Sequence, residues 1–327
     1  MSREVVLAAR PQGEPRESDF EVRETADPVP GEGEVLVRNV FVSVDPYMRG
    51  RMSGVRTYVP PYEVGHVVEG GTVGRVIESR DDAFAAGDWV RTGLGWRELG
   101  VAPAGELRRL DPELAPPSTA LGVLGMPGFT AWVGLVEIAR IEPGETVYVS
   151  GAAGAVGSAA VQIARLEGCR AIGSAGSEEK VAWLRSLGVE AFDYRTTPAR
   201  DALADGIDVY FDNVGGDQLE AALTALRPFG RVAACGAISC YNATGPEPGP
   251  RNLQLVVTKR LRIQGFIVTD HQPRFREFLG KAVPWVRDGE LRYRETIVDG
   301  IENVPAAFAG LFRGDNVGKM LVRVGPD

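Results

Sequence analysis

The run Gly151-Ala152-Ala153-Gly154-Ala155-Val156-Gly157 constrains this 327-residue chain more than any other segment. It follows Thr146-Val147-Tyr148-Val149-Ser150, which reads as an apolar strand, and it opens residues 155–168, which read as a helix with an apolar stripe. Small residues let the backbone turn tightly and approach a pyrophosphate. The helix N-terminus presents free N–H groups, and its dipole favours negative charge. The spacing is a G-x-x-G-x-x-G variant of the common G-x-G-x-x-G. Gly-rich turns also serve packing alone, but a strand before and a helix after make this one a dinucleotide-binding fingerprint.

The texture around the fingerprint agrees. Arg170-Ala171-Ile172-Gly173-Ser174 reads as a second strand. Ser177 caps the next helix, with Glu178 and Glu179 in its first turn, where acids suit the dipole. Ile207-Asp208-Val209-Tyr210-Phe211-Asp212, Arg231-Val232-Ala233-Ala234-Cys235 and Leu261-Arg262-Ile263-Gln264-Gly265-Phe266 continue the series of short strands. Strands alternating with helices from about residue 122 predict an α/β fold with a doubly wound parallel sheet of the Rossmann type. Residues 1–120 are rich in Val, Gly and Pro, in short runs such as Glu34-Val35-Leu36-Val37-Arg38-Asn39-Val40, and predict small twisted β structure. Residues 294–327 return to β-like alternation and are expected to pack back on the N-terminal part. The expected domains are 1–121 with 296–327, and 122–295. The Pro/Gly-rich loop 242–250 is long and polar.

Composition removes several function classes. Thirty-six Lys and Arg against 44 Asp and Glu give a net charge of −8 and a pI near 5.1, which argues against a nucleic-acid surface. No segment approaches the roughly 20 apolar residues of a membrane span. The apolar run after Met1-Ser2-Arg3-Glu4 is too short for a signal peptide. Cys169, Cys235 and Cys240 cannot all pair and match no zinc spacing, so a reducing, cytoplasmic setting is expected. Two histidines, His66 and His271, rule out a His-rich metal site.

Enzymes that use NAD usually place an acid at the end of the second strand to hold the ribose 2′-hydroxyl. Here that strand ends in Ser174-Ala175-Gly176-Ser177, with Lys180 one helical turn on. A missing carboxylate beside a cation suits the 2′-phosphate of NADPH, although lysine is also a common solvated helix residue.

Four segments resemble the medium-chain dehydrogenase/reductase superfamily, and within it the zinc-independent subgroup of prostaglandin reductases, plant alkenal double-bond reductases and bacterial curcumin reductases. They are Val44-Asp45-Pro46-Tyr47-Met48-Arg49-Gly50-Arg51-Met52, the fingerprint through Ser158, Tyr210-Phe211-Asp212-Asn213-Val214-Gly215-Gly216, and Cys235-Gly236-Ala237-Ile238-Ser239-Cys240-Tyr241-Asn242. Asn316-Val317-Gly318-Lys319 is a weaker fifth match, and the resemblance spans nearly the whole chain. It implies a GroES-like, mostly β catalytic domain beside the Rossmann domain, and a homodimer. Carried over by position, the implied NADPH contacts are Gly154, Ala155, Val156, Gly157, Lys180, Tyr194, Asn213, Cys235, Gly236, Ala237, Ile238, Ser239, Tyr241, Phe266, Ile267, Val268 and Asn316. Of these, Lys180 and Tyr194 would face the 2′-phosphate, and Phe266, Val268 and Asn316 the nicotinamide half. Zinc relatives in the superfamily carry Cys and His ligands in the N-terminal domain. Here the first ligand position falls near Val44-Asp45, and Val67 replaces the Glu of a G-H-E motif after Gly65-His66, so no three-ligand zinc site can be assembled.

The resemblance implies reduction of the C=C bond of a small-molecule enone or enal. Hydride adds to the β-carbon, charge builds on the carbonyl oxygen, and hydrogen-bond donors must stabilise it. Tyr47 and Tyr241 are the candidate donors. Tyr241 lies on the carboxyl side of the sheet, where ligands bind. Tyr47 can equally be an amphipathic core residue. Arg49 and Arg51 read as phosphate contacts or structural ion pairs, and Tyr58 and Tyr62 as an aromatic pocket wall or a packed turn. Cys235 and Cys240 read as small pocket residues, and Asp212 as a strand-end residue that orders its loop. Two alternatives stay open: a quinone reductase, and a nucleotide-binding protein without catalysis.

Overall fold

In a computed structural model that describes residues 1–326, the chain forms two compact units, 1–121 with 295–327 and 122–294. Residues 122–294 carry a six-stranded sheet in the order Glu190–Asp193, Arg170–Ala175, Thr146–Val149, Ile207–Asp212, Leu226–Ala234, Arg262–Gly265. Every neighbouring pair is parallel. The earliest strand, Thr146–Val149, sits inside the sheet. The chain winds outward from it through two strands, then returns to its other side for the remaining three. Strand order therefore reverses beside Thr146–Val149, and such reversals open a ligand crevice at the carboxyl ends of the strands. Val147, Tyr148, Val149, Val209, Tyr210 and Phe211 are fully buried, as expected of central strands in a covered parallel sheet. Tyr148 and Tyr210 stack at 5.0 Å between ring centroids.

The other unit is β-rich. Glu34–Ser43 is its backbone element, paired antiparallel with Thr72–Ser79, Leu99–Pro103 and Lys319–Arg323. Ser2–Leu7 and Phe20–Thr25 form a separate hairpin-like pair. The core is built round Phe20, Trp96 and Phe308, whose ring centroids lie 5.5–6.1 Å apart in tilted and edge-on contacts.

The tail departs from the β-like alternation expected of residues 294–327. Strands Glu295–Asp299 and Lys319–Arg323 are present, but helix Val304–Arg313 lies between them. Val304, Ala307, Phe308 and Leu311 are buried at helical spacing, Pro305 stands in the first turn, and Gly314 ends the helix at φ 75°. Dense apolar content masked the 3.6-residue period. The unit 122–294 opens with a helix that the sequence pattern does not mark: Met126–Trp132 is an α-helix that continues as a π-helical stretch, Val133–Ala139.

Candidate cofactor-binding site

The fingerprint turn is shaped by two glycines. Gly151 adopts φ 58°, a conformation that side chains disfavour. A Cβ on Gly157 would lie 2.3 Å from the Gly151 carbonyl oxygen, so the helix can approach the turn only without one. Helix Ala155–Leu166 starts from Gly154, and no side chain caps it. The N–H groups of Ala155, Val156 and Gly157 are thus presented at the positive end of a 12-residue helix, an arrangement that fits a pyrophosphate.

The next strand end gathers a second set. Ser177 Oγ accepts the Lys180 N–H at 3.4 Å, so Ser177 caps helix Glu178–Ser186 as its sequence indicates. Tyr194 N–H donates to the Ala175 carbonyl at 3.1 Å. Its ring lies over Gly176, where a Cβ would meet the phenol oxygen at 2.8 Å. Tyr194 and the turn carrying Lys180 therefore meet at the end of Arg170–Ala175.

A buried node joins the central strand ends. Asp212 Oδ1 accepts N–H groups from Val214 at 2.9 Å and Gly215 at 2.8 Å, and the Tyr210 hydroxyl at 2.7 Å. Burial pushes the Asp212 carboxyl up, and these donors draw it back. Asp212 thus orders its loop. Ser150, which sequence reasoning passed over, sits at the same node: its Oγ accepts the Asn213 N–H at 3.1 Å, and its carbonyl accepts Asn213 Nδ2 at 2.8 Å. A small hydroxyl just before a glycine turn was the only available signal. The loop 235–241 is zipped onto this node. Cys235 and Gly236 donate to the Asp212 carbonyl, Ile238 to that of Asn213, and Ser239 Oγ to that of Val214 at 2.6 Å. Tyr241 folds back over Gly236, and its phenol oxygen accepts the Ala237 N–H at 3.3 Å. The Cys235 thiol is pushed up to about 12 by burial and by Asp212, which suits a pocket residue and not a nucleophile. Phe266 stands edge-on to Phe211 at 6.4 Å between centroids, and Ile267 and Val268 follow half-buried. Gly154 to Gly157, Lys180, Tyr194, Asn213, 235–241 and 266–268 all follow the carboxyl ends of this one sheet.

Tyr47 and Asn316 belong to the β-rich unit. Tyr47 is half-buried at the start of the short helix Met48–Arg51. Among the described residues no hydrogen bond engages its hydroxyl. Burial, then the nearby Tyr62 and Asp45, pushes the phenol well above its ordinary value. Asn316 Nδ2 donates to the Gly318 carbonyl at 2.7 Å. Arg49 and Arg51 are structural. Arg49 donates to the Pro11 and Gly13 carbonyls. Arg51 pairs with Glu69 at 2.9 Å and lies over the Tyr62 ring at 3.9 Å. Tyr62 is buried and donates to the Glu69 carbonyl at 2.6 Å, so it belongs to a packed turn, whereas Tyr58 is exposed. His66 is exposed, 3.6 Å from Glu63. Asp45 is engaged by Lys319 and Ser43, a pairing that the sequence reading missed because its partners are 274 residues apart.

Residues 3–110 match the family described as the N-terminal domain of oxidoreductase, and residues 155–283 match zinc-binding dehydrogenase. The chain is 43% identical to the NADPH-dependent curcumin reductase of Escherichia coli, covering 100% of this chain and 98% of that protein. It is 44% identical to prostaglandin reductase 1 of Rattus norvegicus over 95% of this chain and 96% of that one. The crystal structure of CurA in complex with NADPH from Vibrio vulnificus superposes with a TM-score of 0.94 at 41% identity, covering 99% of this chain and 100% of that one.

Proposed function

This chain belongs to the medium-chain dehydrogenase/reductase superfamily, and on that premise we propose that it uses NADPH to reduce the C=C bond of α,β-unsaturated ketones and aldehydes. The observation that carries the reading is the carboxyl edge of the six-stranded sheet. There an uncapped glycine turn, strand Arg170–Ala175 ending without an acid of its own and followed by Lys180, Tyr194 after the neighbouring strand, and the loop 235–241 follow strands of one sheet. The N–H groups of Ala155, Val156 and Gly157, behind Gly154, hold the pyrophosphate. Lys180 and Tyr194 take the 2′-phosphate. Phe266 and Val268 face the nicotinamide half, as the resemblance also implies for Asn316, and Asn213, Cys235, Gly236, Ala237, Ile238, Ser239, Tyr241 and Ile267 complete the cofactor contacts.

NADPH, when bound, supplies the hydride to the β-carbon. The protein's part is to orient the enone and stabilise charge on its carbonyl oxygen. Tyr47 suits this role because burial keeps its phenol neutral, hence a hydrogen-bond donor, through the physiological range. Tyr241 accepts the Ala237 N–H through its oxygen, which orients its own O–H as a second donor. One of these phenols, or water, returns a proton to the α-carbon. The test is loss of NADPH absorbance with trans-2-nonenal and with a bulky aryl enone, run in parallel with NADH. Turnover with NADPH and little with NADH supports the reading. Tight NADPH binding without turnover of either substrate overturns it.

A further inference from the structure

The β-rich unit contains a buried ion pair that the mechanism above does not use. The Lys319 side chain is 4% exposed and that of Asp45 8%. The Lys319 ammonium donates to Asp45 Oδ1 and to the Val44 carbonyl, both at 2.8 Å. Ser43 Oγ donates to the other carboxylate oxygen. Glu295 is the register partner of Lys319 on the neighbouring parallel strand. Its Oε2 accepts from Ser118 Oγ at 2.9 Å, and its Oε1 is buried without a hydrogen-bond partner among the described residues.

Burying two charges costs about as much as their attraction returns, and apolar replacement of such a pair is often neutral or favourable. Stability is therefore a weak reason for this one. Its effect on geometry is specific. Val44-Asp45-Pro46 leads from strand Glu34–Ser43 into Tyr47, and the Asp45 carbonyl accepts the Met48 N–H at 3.1 Å, which starts the turn that carries Tyr47. The Trp96 indole holds the Ser43 carbonyl at 3.0 Å from the other side. Lys319 directly follows Asn316-Val317-Gly318, a segment braced by the bond from Asn316 to Gly318 and by reciprocal bonds between Val317 and Thr296 at 3.0 Å. One ammonium thus clamps the segment bearing Tyr47 to the segment bearing Asn316.

We infer that the Lys319–Asp45 pair is a positioning device for turnover, fixing the Tyr47 phenol relative to the Asn316 carboxamide. The inference rests on the enone-reductase reading and on Tyr47 acting in it. A role in stability alone predicts that activity follows folding. A positioning role predicts that the two separate.

The variants are Lys319→Met, Asp45→Asn/Lys319→Met, Tyr47→Phe, and the last two combined. Each is read for thermal midpoint, NADPH Kd, and kcat and KM with trans-2-nonenal. Lys319→Met leaves Asp45 buried and unpaired, so the midpoint and kcat both fall. The double variant removes both charges of the pair and leaves Glu295, whose carboxyl burial already pushes up, to take a proton, so its midpoint recovers most of the loss. Its kcat stays about 10-fold or more below wild type, while KM and the NADPH Kd move less than about twofold. In the Tyr47→Phe background the double change lowers kcat by less than about twofold, because the pair acts through Tyr47. Recovery of kcat together with the midpoint overturns the inference, and so does a loss that multiplies with Tyr47→Phe. If Lys319→Met does not fold, the double variant carries the comparison. Absence of enone turnover by the wild-type protein is a separate result, which removes the functional reading and this inference with it.

Discussion

At the scale of single residues, the proposed chemistry turns on two side chains. Tyr47 is an acid whose neutral form is favoured by burial, so its folded value lies well above 10 and the phenol keeps its proton as pH rises. The turnover rate of the wild-type protein is therefore expected to show no alkaline limb owed to Tyr47 below about pH 9. Tyr47→Phe should lower kcat by about 10- to 100-fold with little change in KM, since the donor acts on charge that develops in the transition state. A pH–rate profile of both proteins checks this: an alkaline limb below pH 9 that disappears in Tyr47→Phe would contradict it. On the proposed reading Lys180 acts on the cofactor instead, through a charge-assisted contact with the 2′-phosphate that NADH cannot make, so Lys180→Ala is expected to raise KM for NADPH by about 10-fold and leave KM for NADH nearly unchanged. Equal loss with both cofactors would make Lys180 a solvated helix residue.

Elements succeed or fail here by how they are tied at their ends. The Asp212 carboxylate closes the strand Ile207–Asp212 onto the 213–216 turn by accepting two backbone N–H groups and a phenol. Asp212→Ala would leave the Gly215 N–H buried and unpaired, remove the acceptor of the Val214 N–H, and leave the Tyr210 hydroxyl only Ser150 Oγ at 2.8 Å, and a destabilisation of about 3 kcal/mol is expected in urea unfolding. The NADPH Kd should rise as well, because the loop 235–241 hangs on the same turn. Unchanged NADPH affinity in a folded variant would detach this node from the cofactor site. The contrast with Ser150 shows what a sequence discloses. The glycine turn, the apolar strands on either side of it and the Ser177 cap are local patterns, read within a window of about ten residues. Ser150 works through Asn213, 63 residues away, and Lys319 through Asp45, 274 residues away; no local period reports such pairs. Helix Val304–Arg313 was hidden for another reason. Its exposed face is narrow, so a buried helix and a buried strand look alike in composition.

At the scale of the whole molecule, the two units differ in how the chain builds them. Residues 122–294 are continuous, and all six strands of their sheet come from that one stretch. Tyr148, Ile172, Tyr210, Leu223 and Val232 belong to one apolar cluster formed entirely within it. The β-rich unit is discontinuous: strand Lys319–Arg323 enters its sheet between Glu295–Asp299 and Glu34–Ser43, and Phe308 fills a core lined by Phe20 and Trp96. Loss of the last strand would remove the partner of two others and expose that core. The fragment 122–294 is therefore expected to fold alone, whereas residues 1–121 without 295–327 are not. Circular dichroism with thermal unfolding of the two fragments tests this, with a cooperative transition for 122–294 only. The folded fragment should also bind NADPH and turn over no enone. It keeps the glycine turn, Lys180, Tyr194 and the loop 235–241 but lacks Tyr47 and Asn316. A fragment that folds yet binds no NADPH would mean that the carboxyl edge of this sheet is not sufficient for the cofactor. A fragment that reduces trans-2-nonenal would remove Tyr47 from the chemistry and leave Tyr241 as the donor.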